Sequence, residues 1–312
     1  MGDALFHQGE LTLQAQVGSR ERLAETAHRL IRPALTEKHQ DFFRHLPMVF
    51  IGAADRQGRV WASVRFGAGG FVQAPEADSL SLGGQMLADD PLAGSLTAGQ
   101  RIALLGLVAQ IRRRNRVNGL ITQADGDSLT LAVEQSYGNC AKYIHPRTVE
   151  LVPDLAEAAA QDAIPFTAAL CPQAQQMIAT ADTFFIASLH PQEQAAGRSQ
   201  GADVSHRGGA PGFVRLLDSQ TLMIPDYSGN QYFNTLGNIV LNPSVGLLFI
   251  DYQTAGLLWV SGQAEVIDEP TEVAAYPGAE RLLRVTVQAC RRAQAPLPLR
   301  WQAALDPVLA LP

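Results

Sequence analysis

Cysteine is scarce in this chain. Cys140, Cys171 and Cys290 are the whole set, and no two of them stand in a C-x-x-C pair, which argues against a zinc ribbon or a disulfide framework. Lysine is scarcer still, with Lys38 and Lys142 alone, so a Schiff-base lysine has few candidates. The preference for arginine is read as genome composition. Charged residues are only 17%, the net charge is −6, and no long basic run occurs; this argues against a general nucleic-acid binder. No apolar run approaches the roughly 20 residues that cross a bilayer. The opening MGDALFHQGE has no apolar secretion core. The histidines form no metal-ligand spacing, and neither His145 nor His206 has a carboxylate at triad spacing. These absences lead to the expectation of a soluble cytoplasmic protein with no membrane segment, no nucleic-acid partner and no metal site. The 46% apolar content and 312 residues leave ample core for two domains or one large one.

The chain does contain a repeated phrase. ASVRFGAGGFV (62–72) is echoed by VSHRGGAPGFV (204–214). Ser63 falls on Ser205, Arg65 on Arg207, Gly67 on Gly209 and Phe71 on Phe213. Further segments follow in the same order. DSLSL (78–82) is matched by DSQTLMI (218–224), and DPLAGSLTAGQRIALLGL (90–107) by FNTLGNIVLNPSVGLLFI (233–250). RNRVNGLIT (114–122) is matched by LLWVSGQAEV (257–266), with Asn118-Gly119 on Ser261-Gly262. A weaker match sets SYGNCAKYI on TVQACRRAQ, with Cys140 on Cys290. Each half reads as three strands, a short helix, two strands and a helix. MVFIGAA, TFFIASL and VGLLFID are rich in β-branched and aromatic residues, and DRQG (55–58) suits a hairpin turn. A mainly β unit with one short internal helix suggests a small antiparallel barrel, written twice.

Residues 1–46 lie outside the repeat and read as a helical segment. Leu23, Ala27, Leu30 and Ile31 form one stripe over 20–33, with a stop near Pro33. Thr36 is an N-cap candidate for a second helix that buries Phe42, Phe43 and Leu46. Both helices are expected over the first barrel, and PQAQQMIATAD (172–182) is expected to form a helix ahead of the second. The division is therefore 1–46, then a first unit over 47–160 and a second over 161–312.

The IPDYSGN strand end, the N-x-x-x-N-I-x-x-N-P-x-V-x-L-L-F step and the late V-x-G-x-A strand resemble the pyridoxamine-5′-phosphate-oxidase-like flavoproteins, the split-barrel FMN-binding family. FIGAADRQGRVWAS, RRRNRVNG and SYGNCAKYI in the first half are similar to the same superfamily. The resemblance implies two tandem split β-barrels and an FMN held without a covalent bond between barrels across a dimer interface. It implies a flavoprotein oxidase or reductase acting on a small-molecule substrate, with NAD(P)H or a redox protein as candidate electron donor. Arg207 matches the family's strand arginine for the phosphate. Asn234 and Thr235 stand where the family often has an Arg-Lys pair. Asn230, in the IPDYSGN segment, falls beside the implied flavin; Tyr227 could flank the ring or stand as a surface aromatic.

Elementary chemistry gives a parallel reading. A helix starting near Asn234 offers free N–H groups to an anion, joined by the Asn234 amide and the Thr235 hydroxyl. Arg207 can fork onto phosphate oxygens. The glycines of RGGAPG allow close backbone approach, and Ser205 faces the same region. If 111–119 is a strand, Arg112, Arg114 and Arg116 share a face, from which Arg114 and Arg116 could reach the phosphate; a solvated hairpin is the competing reading. In the first half Asp89 and Asp90 occupy the equivalent helix start and repel a dianion, so that pocket is expected not to hold FMN in the same way. No catalytic side chain is identified. Three alternatives stand beside the oxidoreductase: a non-enzymatic flavin-binding or electron-transfer module, a haem-binding split barrel using His190 or His206, and a scaffold without cofactor. The duplicated barrel could complete a cleft within one chain, or two chains could pair as a homodimer.

Overall fold

A computed structural model describes residues 5–126, 128–152, 164–191, 199 and 201–304. The fold is mainly β, built from two antiparallel seven-stranded sheets. Their strands are β1 (Met48–Ala54), β2 (Val60–Phe66), β3 (Val72–Glu76), β4 (Ser79–Leu82), β5 (Arg101–Val108), β6 (Arg113–Asp125), β7 (Ser128–Gly138), β9 (Thr183–Leu189), β10 (Ala202–Gly208), β11 (Arg215–Leu216), β12 (Thr221–Tyr227), β13 (Ser244–Asp251), β14 (Gly256–Ile267) and β15 (Ala279–Arg292). The first sheet runs β2-β1-β5-β6-β7-β4-β3 and the second β10-β9-β13-β14-β15-β12-β11. The identical strand order makes each half one split-barrel unit, and the chain a tandem duplication.

Strand register gives a residue-level test of the repeat. Ser63 lies opposite Ile51 and Arg65 opposite Val49; Ser205 lies opposite Ile186 and Arg207 opposite Phe184. The register shifts between Asn118 and Gly119 in β6 and between Ser261 and Gly262 in β14, so even the bulge is duplicated. A Cβ on either Gly119 or Gly262 would sit 2.2 Å from a carbonyl oxygen of the neighbouring strand, which is why glycine occupies both. One match is corrected. Arg116 faces Tyr137 and Trp259 faces Arg291, which sets Cys290 against Ser136 instead of Cys140.

One core cluster draws residues from both units, and the second unit has a further core of its own. Phe50 stacks on Phe185 with ring centroids 3.5 Å apart. The two occupy equivalent positions in β1 and β9, so their contact marks a pseudo-twofold axis, as in an isologous dimer fused into one chain. A small third sheet joins β8 (Arg147–Leu151) to β16 (Leu299–Ala303) and ties the end of the first half to the end of the second.

Three helices precede the sheets: α1 (Gln8–Gln16), α2 (Arg20–Leu30) and α3 (Glu37–Arg44). Thr36 caps α3 through His39 N, and Phe42, Phe43 and Leu46 join the main core. In α2, Leu23 and Ala27 are buried while Leu30 is 55% exposed; the helix ends there and Ile31 turns inward in extended conformation. α1 precedes the two helices that the sequence predicts. It packs on α5 (Asn234–Leu241) of the second unit, where Gly9 meets Gly237 so closely that a Cβ on Gly9 would stand 2.1 Å from the Gly237 carbonyl oxygen. α4 (Pro172–Thr180) forms as the sequence predicts. Residues 90–95 form turns, not the expected helix. No described helix is long and apolar enough to cross a membrane.

Candidate functional site

A cleft between the two units gathers every residue the sequence singled out for cofactor binding: Arg114 and Arg116 from β6, Ser205 and Arg207 from β10, Tyr227 from β12, Asn230 from the following turn, and Asn234 and Thr235 from α5. Both sides of the cleft come from one chain. Alternation along β10 places Asp203, Ser205 and Arg207 on one face. Arg112 does not join this face. It precedes β6, exposed and in left-handed conformation (φ 51°).

The centre of the site is a buried polar knot. Arg116 pairs with Asp203 at 2.5 Å and donates to Ser205, to the Tyr137 hydroxyl (3.1 Å) and to Asn234 Oδ1 (3.2 Å). Thr235 donates to Asp203 at 2.7 Å and Ser205 does so at 3.1 Å. Further along the cleft Asp226 accepts from both Arg207 and Arg281. Arg114 donates to Nδ1 and the carbonyl of His206, at 3.1 and 3.2 Å. Sequence reasoning missed Asp203, Asp226, Arg281 and Tyr137, whose partners lie far away in the chain. The D-x-S-x-R alternation of β10 is the signal that could have drawn attention to Asp203.

Positive charge dominates the lining. Five cationic side chains (Arg114, Arg116, Lys142, Arg207, Arg281) line the cleft with the carboxylates of Asp226 and Glu280, and Asp203, paired with Arg116, adds a third. Burial, followed by repulsion from Arg116 and Arg207, pulls the Arg114 guanidinium down to about 10. The Nε–H groups of Arg114, Arg116 and Arg207 are all enclosed and without a partner, a state that buried donors seldom keep. Burial and the Arg114 charge hold His206 well below its ordinary value, so the ring is neutral.

The backbone is strained at the same place. Tyr143, Gln231 and Phe233 line the cleft and have φ of 65°, 62° and 61°, a conformation that costs an L-residue on the order of 1 kcal/mol. Phe233 is the N-cap of α5 and provides no side-chain cap, so the first-turn N–H groups gain nothing from it. Tyr143, from the first unit, lies 5.4 Å from Tyr227 and donates to Ser228 O at 3.0 Å. Both tyrosines line a cavity of about 110 Å³, a volume that takes a phosphate-sized group and falls below that of a typical cofactor pocket.

The pseudo-symmetric position is filled by protein. Trp259 stands at the register position of Arg116 and Trp61 at that of Asp203, both fully buried. Phe166 packs 5.1 Å from Trp61, and the Arg291 guanidinium lies over its ring at 4.1 Å. Asp90 is enclosed, bonded to Ser63 and to Leu92 N, and burial pushes its carboxyl up to about 7. Asp89 accepts from Gln294 N. Among the described residues no group of three or more His, Cys, Asp or Glu side chains is placed to hold a metal ion. Cys140 and Cys171 are exposed and Cys290 is buried.

Residues 170–300 match the family model described as pyridoxamine 5′-phosphate oxidase. The match falls within the second unit, whose strand order the first unit repeats. No curated protein sequence matches the chain. Solved structures with a similar fold include HupZ of Group A Streptococcus (14% identity, 41% of this chain and 98% of that one, TM-score 0.32). Others are an F420 reductase (16%, 38% and 94%, 0.27) and the FAD binding protein of Mycobacterium smegmatis (12%, 40% and 98%, 0.27).

Proposed function

We propose that the cleft binds FMN and that the protein is a flavin-dependent oxidoreductase acting on a small molecule. The observation that carries this reading is the crowded arginine cluster at an uncapped helix start, an arrangement suited to a phosphate. Asp203 already neutralises one edge of Arg116, so the anion would engage donors that Asp203 leaves open: the free Nε–H groups and the first amides of α5. Ser205 and Thr235 would turn their hydroxyls toward it. Tyr227, Asn230 and Tyr143 would flank the ring system. When bound, the flavin supplies the redox chemistry, and electrons would come from NAD(P)H or a redox protein. The chain's own residues bind, orient and exclude water; no side chain is assigned as acid or base. On this reading the chain divides into a helical segment over 1–46, a first unit over 47–160 with a filled cleft, and a second over 161–312 that carries the cofactor site.

The haem alternative meets a chemical obstacle at His206. A guanidinium can only donate, so Nδ1 of His206 must accept from Arg114 and the neutral ring carries its proton on Nε2. Neither nitrogen then has a lone pair free for iron.

Because the pseudo-symmetric cleft is filled, FMN is expected to bind at one per chain, whatever the oligomeric state; titration followed by flavin fluorescence checks this, and two per chain would contradict it. Arg207→Ala is expected to weaken FMN by about tenfold or more, an interaction of a charged hydrogen bond's size. Unchanged affinity would remove Arg207 from the site. NADH-driven bleaching of bound flavin, followed by recovery in air, would separate an oxidoreductase from a passive flavin binder.

A further inference from the structure

The N-terminal helices lie outside the repeat, yet they hold the least relaxed part of the cleft. α1 crosses α5 at the Gly9–Gly237 contact. That crossing sets the Glu10 carboxyl under the first residue of α5, where Oε1 accepts from Asn234 Nδ2 at 2.6 Å. With its NH2 group so held, Asn234 presents Oδ1 to Arg116 at 3.2 Å and to the Tyr137 hydroxyl at 3.1 Å. The turn ahead of α5 is pinned from the same side. Gln14 donates to Tyr232 O at 3.2 Å, Arg22 donates to Gln231 Oε1 at 2.7 Å, and Phe6 packs 5.7 Å from Tyr232. Gln231 and Phe233, the two strained residues of that turn, are thus bracketed by contacts from α1 and α2.

We propose that Glu10 is a positioning residue for the anion site, acting through Asn234 to fix the start of α5 and the direction of Arg116. This rests on the anion-binding reading of the cleft. The other oxygen of Glu10 accepts from its own helix at His7 N (2.8 Å), so the carboxyl is anchored at both ends and cannot follow Asn234 if the amide turns.

Its charge state matters for the same reason. Glu10 is faced by His7 on its own helix, Asp203 from β10, Arg116 from β6 and Tyr137 from β7. His7 is held down to about 4 by burial and by His190, so it is neutral. Burial pushes Glu10 up to about 8, with Asp203 adding to the rise and Arg116 opposing it. Below that pH the acid is neutral and adds no negative charge beside an incoming anion. Above it a carboxylate does, and anion affinity falls.

Two readouts test this, one without ligand. Amide exchange at residues 233–237 is expected to be faster in Glu10→Ala than in wild type and to be largely restored in Glu10→Gln, whose side-chain oxygen can still accept from Asn234. Unchanged exchange in Glu10→Ala would overturn the proposal whatever happens with flavin. The second readout is FMN affinity between pH 6 and 9.5. Wild type is expected to weaken severalfold above about pH 8. Glu10→Gln should bind with a flatter profile, and Glu10→Ala about tenfold more weakly at pH 7. Parallel pH profiles in wild type and Glu10→Gln would remove the proton-linked role. A wild type that binds neither FMN nor inorganic phosphate would overturn the cofactor reading and leave the exchange experiment to judge Glu10.

Discussion

Arg116→Ala is expected to cost about 3–5 kcal/mol of folding stability and to abolish FMN binding together. The stability loss follows from what the arginine leaves behind. Arg116 and Asp203 are both buried, with side chains 8% and 3% exposed. Removing one partner strands the other charge in a poor dielectric, and that is the costly way to break a buried pair. Ser205, Tyr137 and Asn234 lose a partner in the same step. The pair itself is not assigned this worth. Asp203→Asn added to Arg116→Ala should recover a large part of the loss, because the stranded charge is gone. Urea denaturation of the four proteins in the cycle measures the coupling. Additive effects would mean that the two groups do not sense each other in solution.

The second large effect is expected at Gly246, which does not line the cleft. A Cβ there would stand 2.4 Å from Trp61 Cα and 2.6 Å from Ala62 N. The atoms in the way are backbone of the other unit, which cannot swing aside. Gly246→Val should therefore part β13 from β2 and open the core that both units share, a loss above about 4 kcal/mol or failure to fold. Gly69→Ala is the control: nothing lies within 4 Å of its Cβ position, and a change within about 0.5 kcal/mol is expected. Thermal unfolding distinguishes them. A Gly246→Val protein as stable as wild type would contradict the fused-dimer packing.

The repeat was legible because a sheet writes itself into sequence with period two, and because the Gly119 and Gly262 bulges admit no other residue. The matching slipped at Cys290 for a physical reason. Asp125 of β6 pairs directly with Ser128 of β7, whereas α6 (Pro270–Val273) lies between β14 and β15, so the spacing between halves changes at that hairpin. The turn at 90–95 was misread as helix because DPLAGSL has helix-start chemistry. In the fold Asp90 spends its carboxylate on Ser63 and Leu92 N, and Gly94 takes a left-handed φ of 65°.

The candidate site was half legible. Arginines at strand spacing and a polar helix start can be read locally. The acids that oppose them cannot, since Asp226 meets Arg281 and Asp203 meets Arg116 only through the sheet and the unit interface. α1 gave no warning either. QGELTLQAQ has no broad apolar stripe, and it docks through a glycine and a buried glutamate, Gly9 and Glu10.

The central claim is that the cleft takes FMN by its phosphate. The most direct measurement is the visible spectrum of the protein after gel filtration, following incubation with FMN in one sample and riboflavin in another. Flavin absorbance that stays with the protein for FMN at one per chain, and is lost for riboflavin, is the predicted result. Retention of neither flavin, or of both equally, would contradict the assignment of the arginine cluster to a phosphate.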